Sequence, residues 1–329
     1  MSSGTNYFVN LTDLSNILQP RGWSKTSAPA ANWYSITSDS TGKYLAAVVN
    51  GGYIYISSNY GETWTQTSAP SADWSSIASD STGERLAACI SNGHIYTSSN
   101  YGSSWTQTSA PSTYWSSITS DNTGKYLAAC ETGLPPTGTG YIYTSSNYGS
   151  SWTQTSAPAR VWGSITNDST GKYLAACVTS SSGRIFTSSN YGSSWTQQTS
   201  VPQGFWRSIT SDSTGQYLAA GNGSGYIYTS SDYGSVWSQS STQTGNWYTI
   251  TSDSTGRNLA AGCLTVGIYT YNQSNPTNYL VNGSDLNTIF KPTTTNPVTY
   301  TTTNYRVKNY TPLWGSTGDY DLGQIFQNI

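Results

Sequence analysis

The strongest apolar signal in the chain is a short run, Tyr44-Leu45-Ala46-Ala47-Val48-Val49, which is nearly continuous rather than alternating and carries paired alanines. A strand of that kind is buried on both faces, as in a sheet sandwiched between two neighbours. Around it, Trp33–Ser38, Tyr53–Ser57 and Trp64–Ser68 read as three further strands separated by turn residues. The first turn, Asp39-Ser40-Thr41-Gly42, offers a carboxylate to accept backbone N–H bonds and a glycine that can take positive φ.

This group of four strands recurs. The unit W-x-S-I-T-S-D-S-T-G-x-x-L-A-A appears six times with small changes, led by Trp33, Trp74, Trp115, Trp162, Trp206 and Trp247, at spacings of 41, 41, 47, 44 and 41. A period in the low forties with four strands per unit predicts an all-β chain: a six-bladed β-propeller of four-stranded antiparallel blades. The turn aspartate returns at Asp80, Asp121, Asp168, Asp212 and Asp253, so these carboxylates are turn formers first. The last unit stops at Tyr271-Asn272 without a fourth strand, while Trp23-Ser24-Lys25-Thr26-Ser27-Ala28-Pro29 matches Trp64 to Pro70 with no strands before it. Residues 22 to 27 are therefore expected to complete the sixth blade and leave no open sheet edge. The predicted organisation is an N-terminal arm (1–21), a propeller (22–272) and a C-terminal arm (273–329).

Between the third and fourth strands lies Ser57-Ser58-Asn59-Tyr60-Gly61-Glu62-Thr63-Trp64, and it returns in four later units. The key positions are Asn59, Gly61 and Trp64; Asn100, Gly102 and Trp105; Asn147, Gly149 and Trp152; Asn190, Gly192 and Trp195; and Asp232, Gly234 and Trp237. This pattern resembles the Asp-box, S-x-D-x-G-x-x-W, of the sialidase-type (BNR) propellers. The resemblance implies a scaffold turn in which the Asn or Asp caps the hairpin, the glycine takes the left-handed position and the tryptophan is buried. Only Asp232 keeps the acid, which removes the case for calcium.

Composition narrows the function classes. Lys+Arg 13 and Asp+Glu 15 make only 9 % of the 329 residues charged, and the net charge is −2. That leaves no field to attract nucleic-acid phosphate. No apolar run reaches the ~18 residues that span a bilayer, and residues 1–6 carry no signal-peptide pattern. Cys89, Cys130, Cys177 and Cys263 fall at or next to one equivalent position in different blades, ~10 Å apart, too far for disulfides. Free buried thiols are expected, with assembly in a reducing compartment, and neither metal nor cofactor is expected.

Propeller ligands bind on the face made by the loops before the first strand and the hairpins between the second and third. The resemblance to sialidases implies three arginines, a tyrosine activated by a glutamate, and an acid/base aspartate. Glu62 and Glu84 lie on the opposite face, so the acids on the loop face reduce to Asp73 and Glu131. Positions there that vary between repeats give Tyr114, Glu131, Arg160, Arg184, Phe205 and Arg207 as candidate glycan-binding residues, able to hold a carboxylate, sulfate or acidic sugar. The alternative is three solvated arginines. The single histidine, His94, reads as a hairpin residue.

The arms share a third motif. Residues 5–18 match residues 277–290, and a looser copy begins at Thr303 and resumes at Asp321. Asp13, Leu14 and Ile17, then Asp285, Leu286, Ile289 and Phe290, then Asp321, Leu322, Ile325 and Phe326 read as capped single helical turns for docking. They are similar to short modules in structural proteins of large DNA viruses. Taken together these features lead to the expectation of a non-enzymatic structural or interaction subunit of a virion or other extracellular particle, with protein subunits, itself included, as partners. A glycan-binding or attachment propeller is the alternative, and a glycoside hydrolase the third reading.

Overall fold

In the computed structural model the described residues are 25–133, 138–240, 243–264, 267–272, 306–310 and 318–321. Two compact units are present, Lys25–Asn272 and a second drawn from Met1–Ser24 with Gln273–Ile329. In the second, the strands Arg306–Tyr310 and Gly318–Asp321 pair antiparallel, Arg306 opposite Asp321. Asp321 therefore ends a strand. The other docking positions, in residues 5–18, 277–290 and 322–326, lie outside the described residues.

The larger unit is all-β. Its first sheet is β1 (Trp33–Ser38), β2 (Leu45–Gly52), β3 (Ile54–Ser57) and β4 (Thr65–Gln66), each antiparallel to the one before it. β2 runs three residues past the expected end because its tip pairs with β5 (Ala72–Ser79), Gly52 opposite Ala72, joining the first two units into one sheet. The fourth strands shrink to two exposed residues each, as suits an outer edge.

Three four-stranded sheets follow, then a three-stranded one of Trp247–Ser252, Asn258–Cys263 and Gly267–Asn272. The fourth strand expected there from residues 22 to 27 is not seen: 22–24 lie outside the described residues and Lys25–Ser27 are not in a strand. Five units thus have four strands and one has three.

Packing follows the apolar runs. Ala128, Cys130 and Ile142 of the third unit face Trp162, Ile165 and Ala176 of the fourth across one dry seam, and equivalent seams join the other neighbours. Small alanines and cysteines let the sheets approach closely. The seams are stitched by repeated polar contacts: Ile77 N–H donates to Ser35 Oγ at 3.3 Å, and Ser40 N–H to the Ser81 carbonyl at 3.0 Å, with counterparts at later junctions.

The two repeated turns behave as hydrogen-bond caps. Asp39 accepts from Tyr44 N–H and from the Thr41 N–H and hydroxyl. In the second turn Ser57 Oγ accepts from Gly61 N–H, Asn59 Oδ1 accepts from Thr63 N–H, and Trp64 Nε1 donates to the Gly61 carbonyl. The glycine is not alone in the left-handed region, as expected from its pattern: the tyrosine before it, Tyr60, is also there at φ 60°, as are Tyr101, Tyr148, Tyr191 and Tyr233.

Candidate ligand face

Antiparallel hairpins bring two loop sets to one end of the sheets, and the structure ties them together. The hairpin of one unit bridges the loop before the first strand of the next at Gly93 and Thr113, Gly140 and Arg160, Thr179 and Phe205, and Gly225 and Gly245.

The candidate residues are spread over successive junctions of this face. Arg160 is exposed and donates to the Ala159 carbonyl at 2.9 Å. Arg184 is half-buried and donates to the Val201 carbonyl at 2.7 Å, while Phe205 stands 40 % exposed at the same junction. No shared contact gathers the three arginines. Glu131 is buried, accepting from the Thr113 hydroxyl and from Tyr141 N–H at 2.9 Å; it fastens the hairpin of the third unit. Tyr114 contributes its carbonyl to Thr132 N–H. Asp73 remains exposed, and His94 Nδ1 contacts the Ala110 carbonyl at 3.1 Å in its hairpin.

The geometry adds Tyr34 and Tyr248, which the loop comparison missed, to Arg207, which it had given. In every unit the register shifts immediately after the leading tryptophan, so the next residue is an unpaired bulge: Tyr34, Ser75, Ser116, Gly163, Arg207 and Tyr248. A bulge re-aims its side chain out of the ladder. Arg207 lies over the Tyr248 ring, 5.9 Å from its centroid, and its stem and the side-chain oxygen of Asn246 both flank Gly223. The Tyr34 hydroxyl is held above its usual value by partial burial and then by its neighbour Tyr248. Tyr34 and Tyr248 remain 55 and 51 % exposed, and the side-chain oxygen of Asn246 is buried without a partner. The signal in the sequence was the variable x of W-x-S/T-I, between an invariant tryptophan and a Ser or Thr.

No family model matches the sequence, and no curated protein matches it. Solved structures do. A GH74 enzyme from Niastella koreensis superposes with a TM-score of 0.58 at 17 % identity, over 76 % of this chain and 38 % of that one. The GH74 xyloglucanase from Xanthomonas campestris gives 0.60 at 11 % identity, over 76 % and 46 %. A gluconolactonase from Xanthomonas campestris gives 0.54 at 15 % identity, over 74 % and 86 %. The fold is a β-propeller. The chain spans less than half the length of the GH74 structures it matches.

These neighbours correct the expectation of a non-enzymatic subunit of a virion or particle. Regular blades and repeated scaffold turns were its ground, yet propellers sharing this frame include GH74 enzymes and a gluconolactonase. Regularity therefore does not speak against catalysis.

All four cysteines are free and buried. Burial pushes the Cys89 and Cys130 thiols up to about 12, against the weaker pull of hydrogen bonds from Ser75 and Ser116, and pushes Cys177 up as well. They are packing groups, not nucleophiles. Among the described residues no three His, Cys, Asp or Glu side chains gather as a metal site.

Proposed function

We propose that the chain is a carbohydrate-active propeller that holds a saccharide chain on the loop face, across Arg207, Tyr248 and Tyr34. The observation carrying this reading is the bulge cluster: a guanidinium over a tyrosine ring, two neighbouring exposed tyrosines, and the unpartnered amide oxygen of Asn246 near the arginine stem. Rings stack on pyranose faces, and fixed donors and acceptors select hydroxyls. The GH74 and gluconolactonase neighbours support carbohydrate as the ligand class.

Hydrolysis is the second reading, favoured by the exposed Asp73 on the same loops. Paired-carboxylate chemistry needs a second acid within ~5–10 Å, and Glu131, the other acid of these loops, is occupied by Thr113 and Tyr141. Xyloglucan and a panel of plant and microbial polysaccharides serve as probes, read by affinity electrophoresis and by release of reducing ends. Retardation that Tyr248→Ala and Arg207→Ala abolish supports binding; turnover lost in Asp73→Asn supports hydrolysis. The absence of both retardation and turnover on every polysaccharide of the panel refutes the reading.

We also infer that the ring has six blades, with the repeated turn acting as an Asp-box. Two contacts support closure: the approach of Tyr248 in the sixth unit to Tyr34 in the first, whose hydroxyl it helps to hold above its usual value, and Ser27 Oγ donating to the Glu62 carbonyl at 2.7 Å. The latter repeats the Ser68 contact to the Ser103 carbonyl made after a true fourth strand.

A further inference from the structure

The opposite end of the propeller carries a feature that the loop face does not use. Three cavities of about 270, 210 and 100 Å³ open between adjacent blades at the capped turns, in equivalent places. Each is walled on one side by the start of the second strand and the end of the third. On the other side stands the turn tyrosine of the next blade: Tyr233, Tyr148 or Tyr101.

Those tyrosines occupy backbone that asparagine or glycine adopts at lower cost, with φ between 56° and 62°. The conformation swings the ring across the junction. Tyr101 stacks on Tyr44 at 4.8 Å, Tyr191 on Tyr126 at 4.8 Å and Tyr233 on Tyr173 at 4.7 Å, while Arg85 covers Tyr148 at 4.1 Å. Cross-blade stacking accounts for one side of each ring. About 40 % of each remains exposed.

The cavity walls are hydroxyl-rich. In the largest, Thr187, Ser189, Ser194 and Thr196 surround the space beside Tyr173 and Tyr233, and no charged side chain lines it; the smallest is likewise uncharged. Such a lining offers an aromatic ring to an apolar face and many small donors and acceptors to its edge, with nothing to select a charge in two of the three cavities; in the third the one charged side chain, Arg85, lies over the Tyr148 ring. We propose that these inter-blade grooves are a repeated set of neutral-pyranose sites, separate from the loop face and giving the propeller several equivalent saccharide contacts per chain. Weak sites repeated on a rigid ring gain avidity for a polymer or a glycan-dense surface. The proposal stands independently of the loop-face reading.

The test uses the full chain and three probes, methyl β-glucopyranoside, methyl β-galactopyranoside and methyl α-mannopyranoside, followed by saturation-transfer NMR titration. Tyr101→Asn, Tyr148→Asn, Tyr191→Asn and Tyr233→Asn are made singly and together, because asparagine suits the left-handed backbone and removes only the ring. Loss of a stacked ring should weaken a site about tenfold. All are made in an Arg207→Ala/Tyr248→Ala background, which takes away the loop-face site; there Tyr101→Asn, Tyr148→Asn and Tyr233→Asn should each lower the transfer to at least one glycoside, and the quadruple variant should abolish it. The proposal is overturned if none of the three glycosides receives transfer in that background, or if the folded quadruple variant binds as the background protein does.

Discussion

Trp115 and Trp162 lead equivalent strands in adjacent blades, and both are buried. Each packs edge-on to the aromatic ring of the third strand, Tyr143 at 5.3 Å and Phe186 at 5.2 Å, and each is 6.4 Å from the turn tryptophan. They differ at one atom. Trp115 Nε1 donates to the Pro111 carbonyl at 3.3 Å, whereas Trp162 Nε1 is buried without a partner. Replacing either by phenylalanine removes the same volume from nearly the same surroundings, so the cavity costs cancel in the comparison. Trp115→Phe additionally loses a hydrogen bond of ~1 kcal/mol net, while Trp162→Phe relieves an unmade one that costs ~1–3 kcal/mol. Trp115→Phe should therefore be more destabilising than Trp162→Phe by about 2–4 kcal/mol. Urea unfolding followed by far-ultraviolet circular dichroism reads the difference, provided the m-values agree. Equal costs for the two substitutions would refute the reasoning and show that Trp162 Nε1–H has a partner, such as an ordered water.

Ring closure predicts that Ile36→Ala, at a site 63 % exposed among the described residues, destabilises the full chain by about 2–5 kcal/mol, as the buried equivalent Ile77→Ala should; an unchanged midpoint would mean that the seam stays open. In alkali, unfolded thiols ionise near 9.0 while folded Cys89 and Cys130 hold their protons to about 12. Their contribution is intact below pH 9.0 and lost as pH rises toward 12, at up to about 1.4 kcal/mol per pH unit per thiol, and Cys89→Ala with Cys130→Ala should flatten that slope in unfolding titrations. At the acid end, burial pushes the Asp253 carboxyl up, but hydrogen bonds from Asn258 and Thr255 outweigh it and hold the group at about 2; Asp39 and Asp232 are also lowered. Stability from these groups is present above 3.8 and falls as pH drops toward 2, so Asp253→Asn should lessen the acid sensitivity of the thermal midpoint.

The repeat carried most of the architecture, because each blade uses the same local devices: an aspartate cap, a serine and asparagine cap, and an apolar second strand. Trp33–Ser38 was legible to the residue, since its limits are set by a packed tryptophan and a turn aspartate. The fourth strands were overcalled because nothing in T-Q-T-S distinguishes a paired residue from one that leaves an edge. The candidate site was read less well. The varying loops do gather at one end of the molecule, yet the arginines drawn from them go to separate junctions and Glu131 turns inward to Thr113.

What the sequence determined by itself is the blade: hydrogen bonds within a hairpin span a few residues, so their chemistry is written in adjacent letters. The tertiary structure decided what lies between blades. The shared bulge that turns Tyr34, Arg207 and Tyr248 out of the ladder, and the tyrosine rings that reach across each junction, depend on positions about 40 residues apart meeting in space. Such pairings are set by how sheets stack, which no single repeat records.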